Sequence, residues 1–138
     1  MLSFRQQWTR VVVLIGILYA LVGIGFAVPV THVKAWRLAA WVVSALAFAA
    51  HMAYERLRLQ NSPRPAALHV ATAVALGAFG LAVGANINSL SAGSTNPHRP
   101  LLLLSLGIWP VMTGLPAFLV ALGIGSVVGR GVRSARET

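Results

Sequence analysis

Residues 41–65 decide the fold: WVVSALAFAAHMAYE at 41–55 is followed by RLRLQNSPRP at 56–65. The first segment is almost wholly apolar, and the second is short, basic and rich in turn residues. A second apolar run, AALHVATAVALGAFGLAVGA, occupies 66–85. Because a connection this short joins neighbouring antiparallel helices, the sequence predicts a helical hairpin of two membrane spans.

One further apolar run lies on each side of this hairpin. Residues 11–30 carry no charge and are long enough for about 30 Å of helix, one hydrocarbon thickness. A basic start before an apolar run also fits a signal peptide, but this run is longer than a usual signal core. We therefore predict an all-α integral membrane four-helix bundle in one domain. Its spans lie at about 11–30, 36–55, 66–85 and 101–128, and a basic tail follows at 129–138.

The composition suits a bilayer better than water. Hydrophobic residues make up 57% of the 138 residues and charged residues 9%, with a mean hydropathy of +0.77. Soluble domains average about 25% charged residues. The net charge of +9 comes from basic residues at the ends of apolar runs, where they set topology and meet lipid headgroups. We expect the lipid bilayer as a partner, and no nucleic acid.

Several kinds of chemistry are missing from the sequence. There is no cysteine, which removes disulfides, thiolate nucleophiles and cysteine metal ligands. The two carboxylates are Glu55 and Glu137, and the second lies in the polar tail. Paired-carboxylate catalysis within one chain is therefore nearly excluded. The single lysine, Lys34, belongs to no nucleotide-binding motif. These features favour a protein that is not an enzyme.

The basic residues also predict the orientation. One side of the predicted bundle holds Arg5, Arg10, Arg56, Arg58, Arg64, Arg130, Arg133 and Arg136, and the other holds Lys34, Arg37 and Arg99. Because cytoplasmic loops carry an excess of Lys and Arg, this distribution predicts both termini and the central turn in the cytoplasm of a bacterial inner membrane.

One polar cluster is predicted near the cytoplasmic interface. His51 and Glu55 are four residues apart and share a helix face. His69 opens the next helix, so antiparallel pairing brings both imidazoles to a similar depth. We expect Glu55 to pair with Arg58 or Arg56, and each histidine to bond a carbonyl or meet the headgroups. The alternatives are a proton or ion relay, or a haem or metal site in which His51 and His69 are weak candidate ligands.

Small residues recur at helical spacing in the third span. Gly77, Gly80 and Gly84 continue a series that starts at Ala73. Small residues let helix backbones approach closely in lipid. We expect this face to pack within the bundle, and the alternative is a face for self-association.

Two further features belong to the fourth span and the outer side. Pro110 and Pro116 lie inside the apolar run, and they predict one long, kinked helix; the alternative is an interfacial turn at 101–109 followed by a shorter span. A polar loop is predicted at 86–99. Polar residues that could line a shallow outer mouth are His32, Asn86, Asn88 and His98.

These observations leave three functional hypotheses. The first is a non-catalytic membrane component, either a subunit of a larger membrane complex or a self-assembling homo-oligomer, without a cofactor. The second is an oligomeric transporter or channel for a small solute, ion or proton, with the Pro110–Pro116 bend as its moving part. The third is a haem- or metal-binding electron-transfer protein using His51 and His69.

Overall fold

The computed structural model describes residues 4–27, 33–91 and 97–134, and all four elements in them are α-helices. They are α1 (Phe4–Ala27), α2 (Val33–Leu57), α3 (Pro63–Ser91) and α4 (Arg99–Ser134). Each contains a segment long and apolar enough to cross a membrane. The prediction of an all-α chain with four such helices is therefore confirmed.

Proline begins α3. Pro63 and Pro65 occupy its first turn. Backbone N–H groups there have no intrahelical partners, so the N–H that proline lacks costs no helical hydrogen bond. The N–H of Ala66 donates to the carbonyl of Ser62 at 3.2 Å, which closes that turn. The turn at 56–65 therefore joins two helices with little intervening chain.

Three of the four helices extend well beyond the predicted spans. The predicted loop at 86–99 is helical as far as Ser91, and polar side chains in this extension bond to the preceding turn of their own helix. Asn86 Nδ2 donates to the Ala82 carbonyl at 2.8 Å, and Ser91 Oγ donates to the Ile87 carbonyl at 3.0 Å. At the other end of the chain, α1 begins at Phe4, inside the predicted polar lead.

The fourth helix is continuous. Pro110 and Pro116 both lie inside α4, so the alternative of a separate turn at 101–109 is wrong. Thr113 Oγ1 donates to the Trp109 carbonyl at 2.9 Å between the two prolines. The 36-residue helix is about 54 Å long, which exceeds the thickness of a hydrocarbon core.

Helix α3 is the centre of the bundle. It packs most extensively against α4, next against α1 and least against α2. Its buried residues are mostly small: Ala66, Ala67, Val70, Ala73, Gly77, Ala78 and Ala82. Small side chains let two neighbouring backbones approach α3 closely. In lipid there is no hydrophobic force between helices, so this close van der Waals packing holds them together.

The predicted glycine face of α3 packs against α1 of the same chain. A β-carbon at Gly77 would collide with the β-carbon of Tyr19, and one at Gly80 would lie 2.9 Å from the β-carbon of Ala20. At Gly84 the nearest atom would be Ile24 Cδ1, at 3.9 Å. The structure therefore favours packing within the bundle over self-association through this face.

Contacts along the helices fix their directions. Trp8 of α1 stacks on His69 of α3, and a β-carbon at Gly125 of α4 would lie 3.2 Å from Pro63. The start of α1, the 56–65 turn and the last third of α4 therefore lie at one end of the bundle, called the elbow end below. The end of α3 and the start of α4, which Asn86 and Leu102 join, lie at the opposite end.

Candidate functional site

The chain closes tightly on itself at the end of α2. The N–H groups of Arg58 and Leu59 both donate to the Tyr54 carbonyl, at 2.9 and 3.3 Å. Gln60 then adopts a φ of 52°, a left-handed conformation that non-glycine residues rarely take. The Asn61 N–H donates to the Glu55 carbonyl at 3.1 Å. This reversal brings the Asn61 side chain back beside the last turns of α2.

Glu55 is the centre of the polar cluster. Its side chain is fully buried, and its Oε2 accepts a hydrogen bond from Asn61 Nδ2 at 2.6 Å. The same oxygen lies 3.0 Å from His69 Nδ1, on the first turns of α3. The second oxygen, Oε1, lies 3.6 Å from His51 Nε2. We call these four residues, His51, Glu55, Asn61 and His69, the carboxylate cluster.

Helix α1 completes the surroundings of the cluster. The indole of Trp8 stacks on the imidazole of His69, with centroids 4.5 Å apart and planes 5° from parallel. His69 therefore contacts α2 through its Nδ1 and α1 through its ring face. The cluster thus links three helices at the elbow end.

Not every polar atom in this region is satisfied. Both ring nitrogens of His51 and the Oε1 of Glu55 are buried without a hydrogen-bond partner among the described residues. The Tyr19 hydroxyl is in the same state. A buried polar group without a partner costs about 1–3 kcal/mol.

The structure brings together three of the four residues predicted for this cluster. His51, Glu55 and His69 meet, but Arg58 lies exposed on the turn, and no arginine in the described residues forms an ion pair with Glu55. The Arg56 guanidinium instead donates to the Asn61 carbonyl at 3.3 Å. Asn61 and Trp8 were missed. Polar turn residues beside a buried carboxylate are a sequence signal for the first, but nothing in the sequence pairs Trp8 with His69.

Of the residues predicted to line an outer mouth, Asn86 joins two helices. Asn86 Nδ2 donates to the carbonyls of Ala82 and Leu102, each at 2.8 Å, and so links α3 to α4. Asn88 and His98 are exposed. His32 lies outside the described residues.

Two grooves of about 380 Å³ each lie between neighbouring helices. One separates α3 from α4 and is lined by Ala85, Leu102, Ser105 and Trp109 among others. The other separates α1 from α2 near the elbow end. Its lining residues are Val11, Leu14, Ile15, Ala50, His51 and Tyr54.

The two histidines of the cluster lie on either side of Glu55. Both turn a nitrogen toward the same carboxylate, which lies between them. In the described part of the chain, no group of three or more His, Cys, Asp or Glu has the geometry to hold a metal ion. The arrangement is that of a buried carboxylate solvated by neutral donors and imidazoles.

Together these features define the class: an all-α protein with four helices apolar enough to span a membrane and a polar cluster near one end of the bundle. Comparison with known proteins adds no closer relationship. The chain matches no protein-family model, and no curated protein or solved structure is significantly similar to it.

Proposed function

We propose that this chain is a non-catalytic structural component of a membrane assembly in the bacterial inner membrane. The observation that carries the proposal is the incomplete packing of α2. This helix makes the fewest contacts of the four, with α1 and with α3. A helix held so loosely within its own chain is suited to packing against another subunit or a second copy.

The ionisable groups support a structural role. Glu55 and His69 contact each other and join α2 to α3, while Arg56 is bonded to the turn. These side chains hold the bundle together at the elbow end. Their positions require no substrate, which is the reason we favour a component over an enzyme.

The exposed surface of α2 supplies the docking face. Trp41 is 77% exposed, the most exposed large hydrophobic side chain in the described residues. It lies eight residues after Val33, where α2 begins, which is about 12 Å along the helix axis. Tryptophan is enriched among the few residues that dominate the binding energy of protein–protein interfaces. We therefore assign Trp41 to the interface.

The test is the mass of the protein extracted with its native lipid. We expect light scattering to give an assembly larger than the 14.6 kDa chain, either of several copies or with a co-purifying subunit. Trp41→Ala should dissociate it, whereas Leu119→Ala, a 59% exposed control on α4, should not. A wild type that runs as a single chain without a partner contradicts the proposal. An assembly that survives Trp41→Ala contradicts the role of α2.

A second candidate function is proton or ion handling by an oligomer, because the carboxylate cluster extends inward from the elbow end. His69 is partly exposed, with 14% of its side chain accessible, and Glu55 beside it is fully buried. His51 lies one helical turn further in, about 6 Å. These groups form a series of proton-carrying sites leading from the membrane surface toward its interior.

Flux into liposomes tests this second function. Glu55→Gln removes the central charged site and should abolish proton flux, whereas Arg58→Gln, an exposed control on the same turn, should preserve it. Pro110→Ala should slow flux if α4 bends at its prolines and that bend is the moving part. Equal flux through wild type and Glu55→Gln, or none through the wild type, contradicts a relay.

We also propose that both termini and the 56–65 turn face the cytoplasm. At the elbow end lie Arg10, Arg56, Arg58 and Arg64; at the opposite end lie Lys34, Arg37 and Arg99. The excess of basic residues at the elbow end supports this orientation under the positive-inside rule.

A further inference from the structure

We infer that the groove between α3 and α4 binds one acyl chain of an anionic diacyl phospholipid, whose phosphate lies on Arg99. The lipid belongs to the leaflet opposite the elbow end. This inference is independent of the proposed assembly and of which side of the membrane that leaflet faces. It rests on where the groove begins and ends, on its apolar lining and on the charge at its outer end.

The groove is bounded at each end by a contact between α3 and α4. At its outer end, far from the elbow, Asn86 Nδ2 donates to the Leu102 carbonyl at 2.8 Å. At its inner end a β-carbon at Gly114 would lie 3.1 Å from the β-carbon of Ala75. The lining residues on α4 run from Leu102 to Thr113, which is about 16 Å along the helix axis. A hydrocarbon core is about 30 Å thick, so the groove has the depth of one leaflet, which is the depth an acyl chain occupies.

The lining presents apolar groups to the groove. On α3 its residues are Ala78, Leu81, Ala82 and Ala85. On α4 the two hydroxyls bond to their own helix: Ser105 Oγ donates to the Leu102 carbonyl at 2.6 Å, and Thr113 Oγ1 donates to the Trp109 carbonyl at 2.9 Å. Trp109 is 55% exposed and Leu81 is 37% exposed, so the groove opens sideways to lipid. A hydrocarbon chain therefore fits it without leaving a hydroxyl unpaired.

Arg99 supplies the charge at the outer end. It begins α4, three residues before Leu102, and residues three apart are neighbours on a helix surface. Arg99 therefore lies over the groove, about 4.5 Å further along the axis. Its side chain is exposed and forms no ion pair among the described residues. The carboxylate of the described residues, Glu55, lies at the elbow end, so an ammonium on the lipid head would gain no carboxylate partner here. A head that carries only the phosphate charge is favoured.

The test uses the full chain, labelled with 5-fluorotryptophan, in nanodiscs of phosphatidylcholine. The probes are phosphatidylglycerol and phosphatidylcholine that carry the same nitroxide in the middle of one acyl chain. We expect labelled phosphatidylglycerol to broaden the ¹⁹F resonance of Trp109 at about one fifth of the mole fraction that labelled phosphatidylcholine requires, as one arginine near the surface implies. Equal broadening by both lipids would show an unselective lipid shell and overturn the inference. No broadening of Trp109 by either would show that another occupant, such as a second copy, covers the groove, and would overturn it too.

Two pairs of variants locate the head and the chain. Arg99→Gln should abolish the preference for phosphatidylglycerol at Trp109, whereas Arg37→Gln, an exposed arginine at the same end on a helix that does not line the groove, should keep it. Ala85→Phe fills the groove from an exposed position and should remove the selective broadening. Ala49→Phe makes the same change at an exposed position outside the groove and should behave as the wild type does. A preference that survives Arg99→Gln or Ala85→Phe would place the lipid elsewhere and overturn the inference.

Discussion

Glu55 is the only carboxylate side chain in the described residues, and it is buried without a cationic arginine beside it. Its burial is compensated instead by Asn61, by His69 and, more distantly, by His51. These partners come from α2, the turn and α3. This one carboxylate therefore joins α2, the turn and α3 through its side-chain contacts.

The first prediction concerns this carboxylate. Glu55→Ala leaves the Asn61 amide and the His69 imidazole without their acceptor, and we expect a loss of about 1–3 kcal/mol, the cost of buried polar groups without a partner. Arg58→Ala should change stability by less than about 0.5 kcal/mol, because Arg58 is exposed. Thermal unfolding in one detergent measures both variants. Equal losses would restore Arg58 as the partner of Glu55.

The meeting of three cluster residues was predictable, and the identity of the fourth was not. Helical spacing places His51 and Glu55 on one face, and antiparallel pairing brings His69 to their level. Asn61 reaches Glu55 only because the chain reverses at Gln60. The φ of 52° at Gln60 cannot be predicted from the sequence. Arg58 was predicted to pair with Glu55 because the two are close in sequence. Sequence spacing does not say which way a turn folds, and in the structure Arg58 is exposed.

At the scale of elements, α3 carries a close approach on each of two sides. Gly77 and Gly80 face α1, and a β-carbon at Gly114 of α4 would lie 3.1 Å from Ala75. Lipid competes with side chains for apolar contact, so these approaches stabilise the bundle through dispersion between backbones. Losing one of these close contacts should therefore weaken the packing of the whole helix pair.

The second prediction tests the approach at Gly77. A methyl group there collides with Tyr19, so α1 must move away, and we expect Gly77→Ala to destabilise the bundle by about 1–3 kcal/mol. The matched control is Gly107→Ala on α4, where an added β-carbon meets nothing within 4 Å. Better helix propensity should make that change neutral or stabilising by up to about 1 kcal/mol. Unfolding in detergent ranks the two, and a stable Gly77→Ala would show that α1 does not pack as described.

The existence of each helix could be predicted, but its ends could not. Twenty apolar residues specify a span, and all four were found. The polar stretch after Ala85 was predicted as a loop, yet α3 continues to Ser91, and Asn86 and Ser91 bond to carbonyls of their own helix. Ser and Asn favour turns because they can bond the local backbone, but inside a helix they can bond the carbonyl four residues back, so composition alone misplaces such boundaries.

At the scale of the whole molecule, the basic residues are distributed unevenly along the bundle. The elbow end combines the start of α1, the 56–65 turn and the last third of α4. Four helices that alternate in direction give a molecule with two chemically different ends. Only the end with more basic side chains is favoured to stay on the cytoplasmic side.

The third prediction uses the absence of cysteine, since any introduced thiol is the only one in the chain. Ser62→Cys places a thiol on the exposed 56–65 turn, and Ser91→Cys places one, also exposed, at the opposite end. In intact bacterial cells, a membrane-impermeant maleimide should label Ser91→Cys and should reach Ser62→Cys only after the inner membrane is permeabilised. The substitutions match in chemistry and leave every basic residue in place, so a difference in labelling reports orientation alone. The reverse pattern would place the elbow end in the periplasm, and labelling of both without permeabilisation would contradict four membrane spans.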